Sequence, residues 1–289
     1  MIIAEDAAAD LSRFNEMYGH AEILRQFIGV EDRRLRLVGQ VQHGWSTGAC
    51  VNPLPKPIYV WNARSLAGLQ AVGCTDAVAI GAPYLYLPAP PRQVELGRSA
   101  KSLLAVPEHS TPGYPYADAY AFWSSYALWL EQVRREADLE QTTVCLHIND
   151  YDDPAVCHVL MRHGHTVACC GASSTARTTF LDRMRAFILQ HGIVTSNAVG
   201  SALIYAAYEG KPVFVGGPSP ERSPVDAAVT EVWSQRAHDP AWIEREFPGL
   251  RVPILSAAPH RDAGRRELGF DYKLSRDALW SLLRFVYLP

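Results

Sequence analysis

Between residues 142 and 217 short apolar runs alternate strictly with helix-length segments. Thr143–His147, Thr166–Cys170, Ile193–Ser196 and Val213–Val215 are aliphatic or β-branched and bounded by polar or glycine clusters, as buried strands are. Between them, Pro154–His163, Thr179–Gln190 and Val199–Glu209 have the length of helices. Gly164 and Gly210 fall where left-handed C-caps are expected, and Pro212 stops the second helix from continuing. A βαβαβαβ series folds as a parallel sheet with right-handed crossovers, and such sheets bind ligands beyond the carboxyl ends of their strands.

The first half is of the same kind. Leu35–Val41, Pro57–Trp61, Ala77–Ile80 and Ser102–Val106 read as strands, and Ala21–Ile28 and Ser65–Ala71 as helices. Asp118–Glu136 places Tyr120, Trp123, Ala127, Leu128 and Val133 near helical spacing, which predicts an amphipathic helix joining the two halves. The polar stretch after it puts a boundary near residue 139, dividing the chain into 1–139 and 140–289. Arg276–Tyr287 reads as a final helix that packs back on the first half.

The chain has 289 residues, 48% hydrophobic and 20% charged, enough to bury a large core. Its formal net charge of −3 gives no global pull toward nucleic acid, so an anion has to be bound locally. No apolar run approaches the roughly 18 to 20 residues of a membrane span. The start of the chain turns acidic at once and lacks the pattern of a secretory signal, so a cytoplasmic protein is expected. The six cysteines show no disulfide spacing and read as reduced packing residues.

The segment Ser196-Asn197-Ala198-Val199-Gly200-Ser201 runs from a strand directly into a helix of small residues, so free N–H groups at the helix start face outward from the sheet. Gly200 permits close approach of a phosphate or ribose, and Ser196, Asn197 and Ser201 offer neutral hydrogen bonds. An ordinary capped helix on a sheet has the same pattern. Ser196-Asn197-x-x-Gly200-Ser201-Ala202, followed by Tyr205-Ala206-Ala207-x-x-Gly210-Lys211-Pro212-Val213, resembles the donor-binding segment of bacterial surface-polysaccharide glycosyltransferases of the GT-B type. The resemblance is clearest over residues 142–217. It implies two Rossmann-like domains around a cleft, the acceptor-side one over 1–139 and the nucleotide-binding one over 140–289, a nucleotide-sugar as donor substrate with no cofactor, a carbohydrate or other hydroxyl acceptor, and no required metal.

Other loops fit that expectation. Gly171, Ser173, Ser174 and Arg177 follow the second strand of the later half and are expected to hold the donor with Ser196, Asn197, Gly200 and Ser201. Asn149 and Asp150 follow its first strand and are candidates for the acceptor or a sugar hydroxyl, while Asp152 or Asp153 caps the helix begun by Pro154. In the first half His43 is the leading candidate base, beside Trp45 and Ser46 as acceptor contacts. Glu108 is the second candidate base, and His109 stands ready for the diphosphate or the proton; the block Pro107-x-His109-Ser110-Thr111 also resembles a loop of these transferases. Lys211, Arg183, Arg185 and Arg222 supply further positive charge.

Three rivals follow from the same residues. Gly44-x-Ser46-x-Gly48 has the form of a hydrolase nucleophile elbow, but prolines at 53, 55 and 57 oppose the helix an elbow needs. Cys157, His158, His163, His165, Cys169 and Cys170 lack a zinc spacing, and Asp150-x-Asp152 is a minimal hard-cation motif. Neither a Gly-x-Gly-x-x-Gly nor a Walker motif is present, which disfavours NAD(P) and ATP hydrolysis. A non-catalytic nucleotide- or sugar-binding protein on the same fold remains the alternative from another functional class.

Overall fold

The computed structural model describes residues 13–32, 34–46, 55–90, 99–110, 115–171, 179–223 and 237–287. They divide into two compact units. The first draws on Met1–Ala89, Ser173–Asp182 and Arg265–Pro289; the second on Pro90–Ala172 and Arg183–Gly264. Both are mixed α/β with parallel strands.

In the first unit α1 (His20–Ile28) precedes β1 (Leu35–Leu37) and β2 (Gln40–Val41). The expected single strand over 35–41 is therefore two strands in two sheets, because Gly39 turns the chain at φ +85° in a space where a Cβ would strike the Pro57 backbone. Parallel to β2 run β3 (Ile58–Val60) and β4 (Ala77–Ala79) in the order β2-β3-β4, with α2 (Ala63–Ala71) as the crossover. Asn62 starts α2 by accepting the Ser65 N–H at 2.9 Å. Ile58, Val60 and Leu69 form a small core between strand and helix.

The second unit holds a six-stranded sheet. Its strands are β5 (Ser99–Ala105), β6 (Gln141–Leu146), β7 (Thr166–Cys169), β8 (His191–Ser196), β9 (Pro212–Val215) and β10 (Ala258–Pro259), in the order β10-β9-β8-β5-β6-β7. All neighbours are parallel except β10 on β9. The crossovers are α3 (Ala119–Glu136), α5 (Pro154–Arg162) after the single turn α4 (Ile148–Tyr151), α6 (Thr179–Gln190) and α7 (Ser201–Tyr208); α8 (Pro240–Glu246) and α9 (Arg261–Leu268) follow. Gly164 and Gly210 take φ +77° and +74° as the C-cap reading requires.

Three further sequence expectations are corrected. The boundary near 139 does not separate the compact units: β5 pairs with both β6 and β8 and is a central strand of the second sheet, and α3 covers that sheet. A pattern of short buried strands carries no mark of which sheet each strand joins. On α3 the buried face is Phe122, Trp123, Tyr126, Ala127, Leu130 and Val133, whereas Tyr120 and Leu128 are 66% and 55% exposed. The last helix is also shorter than expected: α10 (Arg276–Leu282) ends where Leu283 turns extended, and Phe285–Tyr287 forms β11, antiparallel to β1. No helix among the described residues is long and apolar enough to cross a membrane.

Candidate functional site at the switch point of the larger sheet

In the second sheet the chain order reverses at β5. From β5 it moves through β6 to β7 on one side, then returns to β8 and proceeds to β9 on the other. In open α/β sheets the loops leaving two such strands diverge and open a crevice at their carboxyl ends, where ligands bind. Glu108, His109 and Ser110 leave β5; Asn197 and Gly200 leave β8. Candidates that the sequence assigned to different domains thus stand at one sheet edge.

The two loops are joined by buried polar groups. The Glu108 N–H donates to Asn197 Oδ1 at 2.8 Å, and Asn197 Nδ2 donates to the Pro218 carbonyl at 3.2 Å. Glu108 Oε2 stands 2.6 Å from His238 Nε2 and accepts from Arg222 Nη2 at 2.9 Å. His238 Nδ1 lies 3.2 Å from the Asn197 carbonyl. Both oxygens facing this imidazole are acceptors. Arg222 also donates to the His109 carbonyl at 3.3 Å and lies over the Tyr116 ring, whose hydroxyl donates to the Glu108 carbonyl at 2.9 Å. Burial pushes the Glu108 carboxyl up, but the His238 hydrogen bond and the charges of His238 and Arg222 outweigh burial and hold it below the usual range. Glu108 is a locked anion, which makes it a poor base.

His109 has a different setting. Its Nδ1 donates to the Ser110 carbonyl at 2.8 Å, because a carbonyl can only accept, so in the neutral ring Nε2 carries the lone pair. The ring stacks on His147 with centroids 4.0 Å apart and 17° between planes. His147 caps α4, its Nδ1 accepting from the Asn149 N–H at 3.3 Å. Asn149 Nδ2 donates to the Ser110 carbonyl at 3.0 Å, and the Ser110 hydroxyl and N–H donate to Asp150 at 2.7 and 3.1 Å. Burial raises the Asp150 pKa, opposed by those two Ser110 bonds. Asp150 is 4% exposed and serves to fix the β5 loop on the β6 loop. Asp153, not Asp152, caps α5, accepting from Ala155 N at 2.9 Å.

The expected donor-binding residues divide. Asn197 and Ser196 are buried, Asn197 engaged on both ends of its amide and Ser196 Oγ accepting from Ala198 N at 3.3 Å, so they shape the turn. Gly200 is the N-cap of α7, without a side-chain cap, and leads into Ser201. Gly171 has φ +98° with Arg183 beside it, Nη1 donating to the Cys170 carbonyl at 3.3 Å. Ser173, Ser174 and Arg177 lie outside the described residues. Lys211 is on the wrong edge of the sheet: it precedes β9, and its Nζ donates to the Leu189 and His191 carbonyls where β8 begins. Arg185 is taken by Glu209 at 2.8 Å.

His43, Trp45 and Ser46 belong to the first unit. The His43 ring stacks on Tyr18 with centroids 4.7 Å apart, and Trp45 Nε1 donates to Glu267 Oε2 at 2.8 Å. The helix that a nucleophile elbow at Ser46 needs would fall on residues 47–54, outside the described residues. Among the described residues no group of three or more His, Cys, Asp or Glu side chains is placed to hold a metal ion.

His238 and His147 were not singled out by sequence. His147 closes a strand where a ligand-facing residue is expected, which was the available signal; His238 lies more than 40 residues from the motif it supports and carries none.

No family model matches the chain, and no curated protein sequence matches it. Among solved structures, a mutant of S. aureus TarM in complex with fondaparinux, alpha-GlcNAc-glycerol and UDP is similar at 11% identity and a TM-score of 0.37, over 78% of this chain and 42% of that one. This chain spans less than half the length of that protein, and a likeness so loose carries no argument about activity.

Proposed function

We propose that the protein is a metal-independent glycosyltransferase of the GT-B kind, moving a sugar from a nucleotide-activated donor to a carbohydrate or other hydroxyl acceptor. The observation that carries this reading is the convergence of the β5, β6 and β8 loops at the switch point, where Glu108, Arg222 and His238 are tied together and Asn197 leads toward the α7 N-terminus. The resemblance of residues 196–213 to a donor-binding segment supports the same reading. In it, the N-terminus of α7 faces the donor phosphates, stabilising the charge that develops on the leaving diphosphate. His109 Nε2 takes the acceptor proton, a part for which Glu108 is unsuited while bound to Arg222 and His238. His43 is the alternative base, from the first unit.

The test is nucleotide release from UDP-, GDP-, dTDP- and CMP-sugars in the presence of an acceptor panel. Release from one donor class supports the proposal. Donor binding without release would favour the non-catalytic binding protein.

A further inference from the structure

A cavity of about 450 Å³ opens at the carboxyl end of β9, lined by Val215, Pro240, Glu244, Arg251, Val252 and Pro253. That volume is in the range of small-molecule sites. It lies on the same sheet edge as the switch point, and β9 neighbours β8, so the separation is on the order of one or two strand spacings, ~5–10 Å. The exit of β9 is pinned from both sides: Val215 N donates to the Leu250 carbonyl at 2.8 Å, and Pro218 accepts from Asn197. Two prolines and two valines line it beside one acid and one arginine. Its polar groups are of opposite charge. Among the described residues Arg251 makes no hydrogen bond or ion pair, and Glu244 makes no ion pair, its Oε1 meeting only the Gly249 N–H at 3.4 Å.

A flat ligand that satisfies both needs two neighbouring donors for a carboxylate and two neighbouring acceptors for a guanidinium. Guanine has both, N1–H with N2–H₂ on one edge and O6 with N7 on the other. Uracil has a single N–H between two carbonyls, and adenine and cytosine pair one amino group with an acceptor nitrogen. We propose that this cavity is a guanine site, Glu244 accepting from N1–H and N2–H₂ and Arg251 donating to O6 and N7. The inference deepens the function proposed above and rests on it in taking the base to be that of the donor nucleotide, which makes the donor a GDP-sugar.

Titration calorimetry of the full chain with GDP, IDP and UDP tests it, since IDP differs from GDP only in lacking the N2 amine. The expected result is GDP binding at least about tenfold tighter than either of the others, the discrimination of one good bidentate contact. Glu244→Gln should abolish the preference for GDP over IDP while leaving UDP unchanged, and Arg251→Ala should weaken GDP and IDP together. Both side chains are exposed, so these variants are expected to fold, which circular dichroism checks. UDP binding as tightly as GDP would overturn the guanine assignment and leave nucleotide binding intact. Equal weakening of all three ligands by Glu244→Gln would place the carboxylate on the ribose and overturn it as well. Binding of none of the three would overturn this inference and leave a dTDP- or CMP-sugar donor to the release assay described above.

Discussion

The Glu108 N–H and the Asn197 side-chain oxygen, 89 residues apart in sequence, meet at 2.8 Å across the point where the larger sheet reverses its strand order. This bond, with the Asn197 Nδ2 bond to Pro218, holds three strand exits in one arrangement. Replacing Asn197 by Ala strands a buried N–H and a carbonyl, each costing about 1–3 kcal/mol. Denaturant unfolding of Asn197→Ala should show a loss of about 2–4 kcal/mol. A loss under half a kilocalorie would mean the amide is not the strut described.

His109 and His147 stack, but only His109 is placed to act as a base. His109→Ala should lower nucleotide release by about 10²-fold or more, with little change in nucleotide affinity. His147→Phe keeps the stacked ring and loses the cap on α4, so a far smaller effect on turnover is expected. Comparing kcat and nucleotide Kd for both variants separates chemistry from packing.

His20, in the first unit, is fully buried with neither ring nitrogen hydrogen-bonded, and burial, aided by the nearby His43, lowers its pKa from 6.5 to about 3. The unfolded chain takes up a proton at about 6.5 that the folded chain refuses until about 3, so stability is full above 6.5 and is lost as the pH falls toward 3. At pH 4 the loss is on the order of 3 kcal/mol. His20→Phe should remove most of that dependence, read as urea midpoints at pH 7 and pH 4. An unchanged dependence would show that His20 is not its source.

Two glycines with similar backbones make a paired test of crowding. Gly164 has φ +77° with open space where a Cβ would stand, whereas Gly269 has φ +68° and a Cβ there would collide with the Trp61 carbonyl. Gly164→Ala should cost about 1–2 kcal/mol, the left-handed penalty alone, and Gly269→Ala clearly more. Melting temperatures of the two variants measure the difference.

Much of the second unit was legible in sequence because its strands are short, apolar and punctuated by Gly164, Gly210 and Pro212, and local chemistry sets those breaks. Strand partnership was not legible. β5 looks like any strand of the first half, and only long-range pairing with β6 and β8 brings Glu108 beside Asn197. The same holds for the site. Ser196 and Asn197 were found by their motif, but their hydrogen bonds turn inward, and the groups that lock Glu108 come from positions 222 and 238, which no local pattern connects to it. Tyr120 and Leu128 misled because several apolar faces of α3 fit helical spacing, and packing chose the one containing Trp123 and Tyr126.

The most direct measurement is the rate at which purified protein frees nucleotide from a nucleotide-sugar when an acceptor is present, compared across wild type, His109→Ala and His43→Ala. Wild-type protein is expected to release nucleotide at a rate that falls about 10²-fold in His109→Ala. Release unaffected by His109→Ala and abolished by His43→Ala would move the base to the first unit, and no release from any donor class with any acceptor would contradict the transferase.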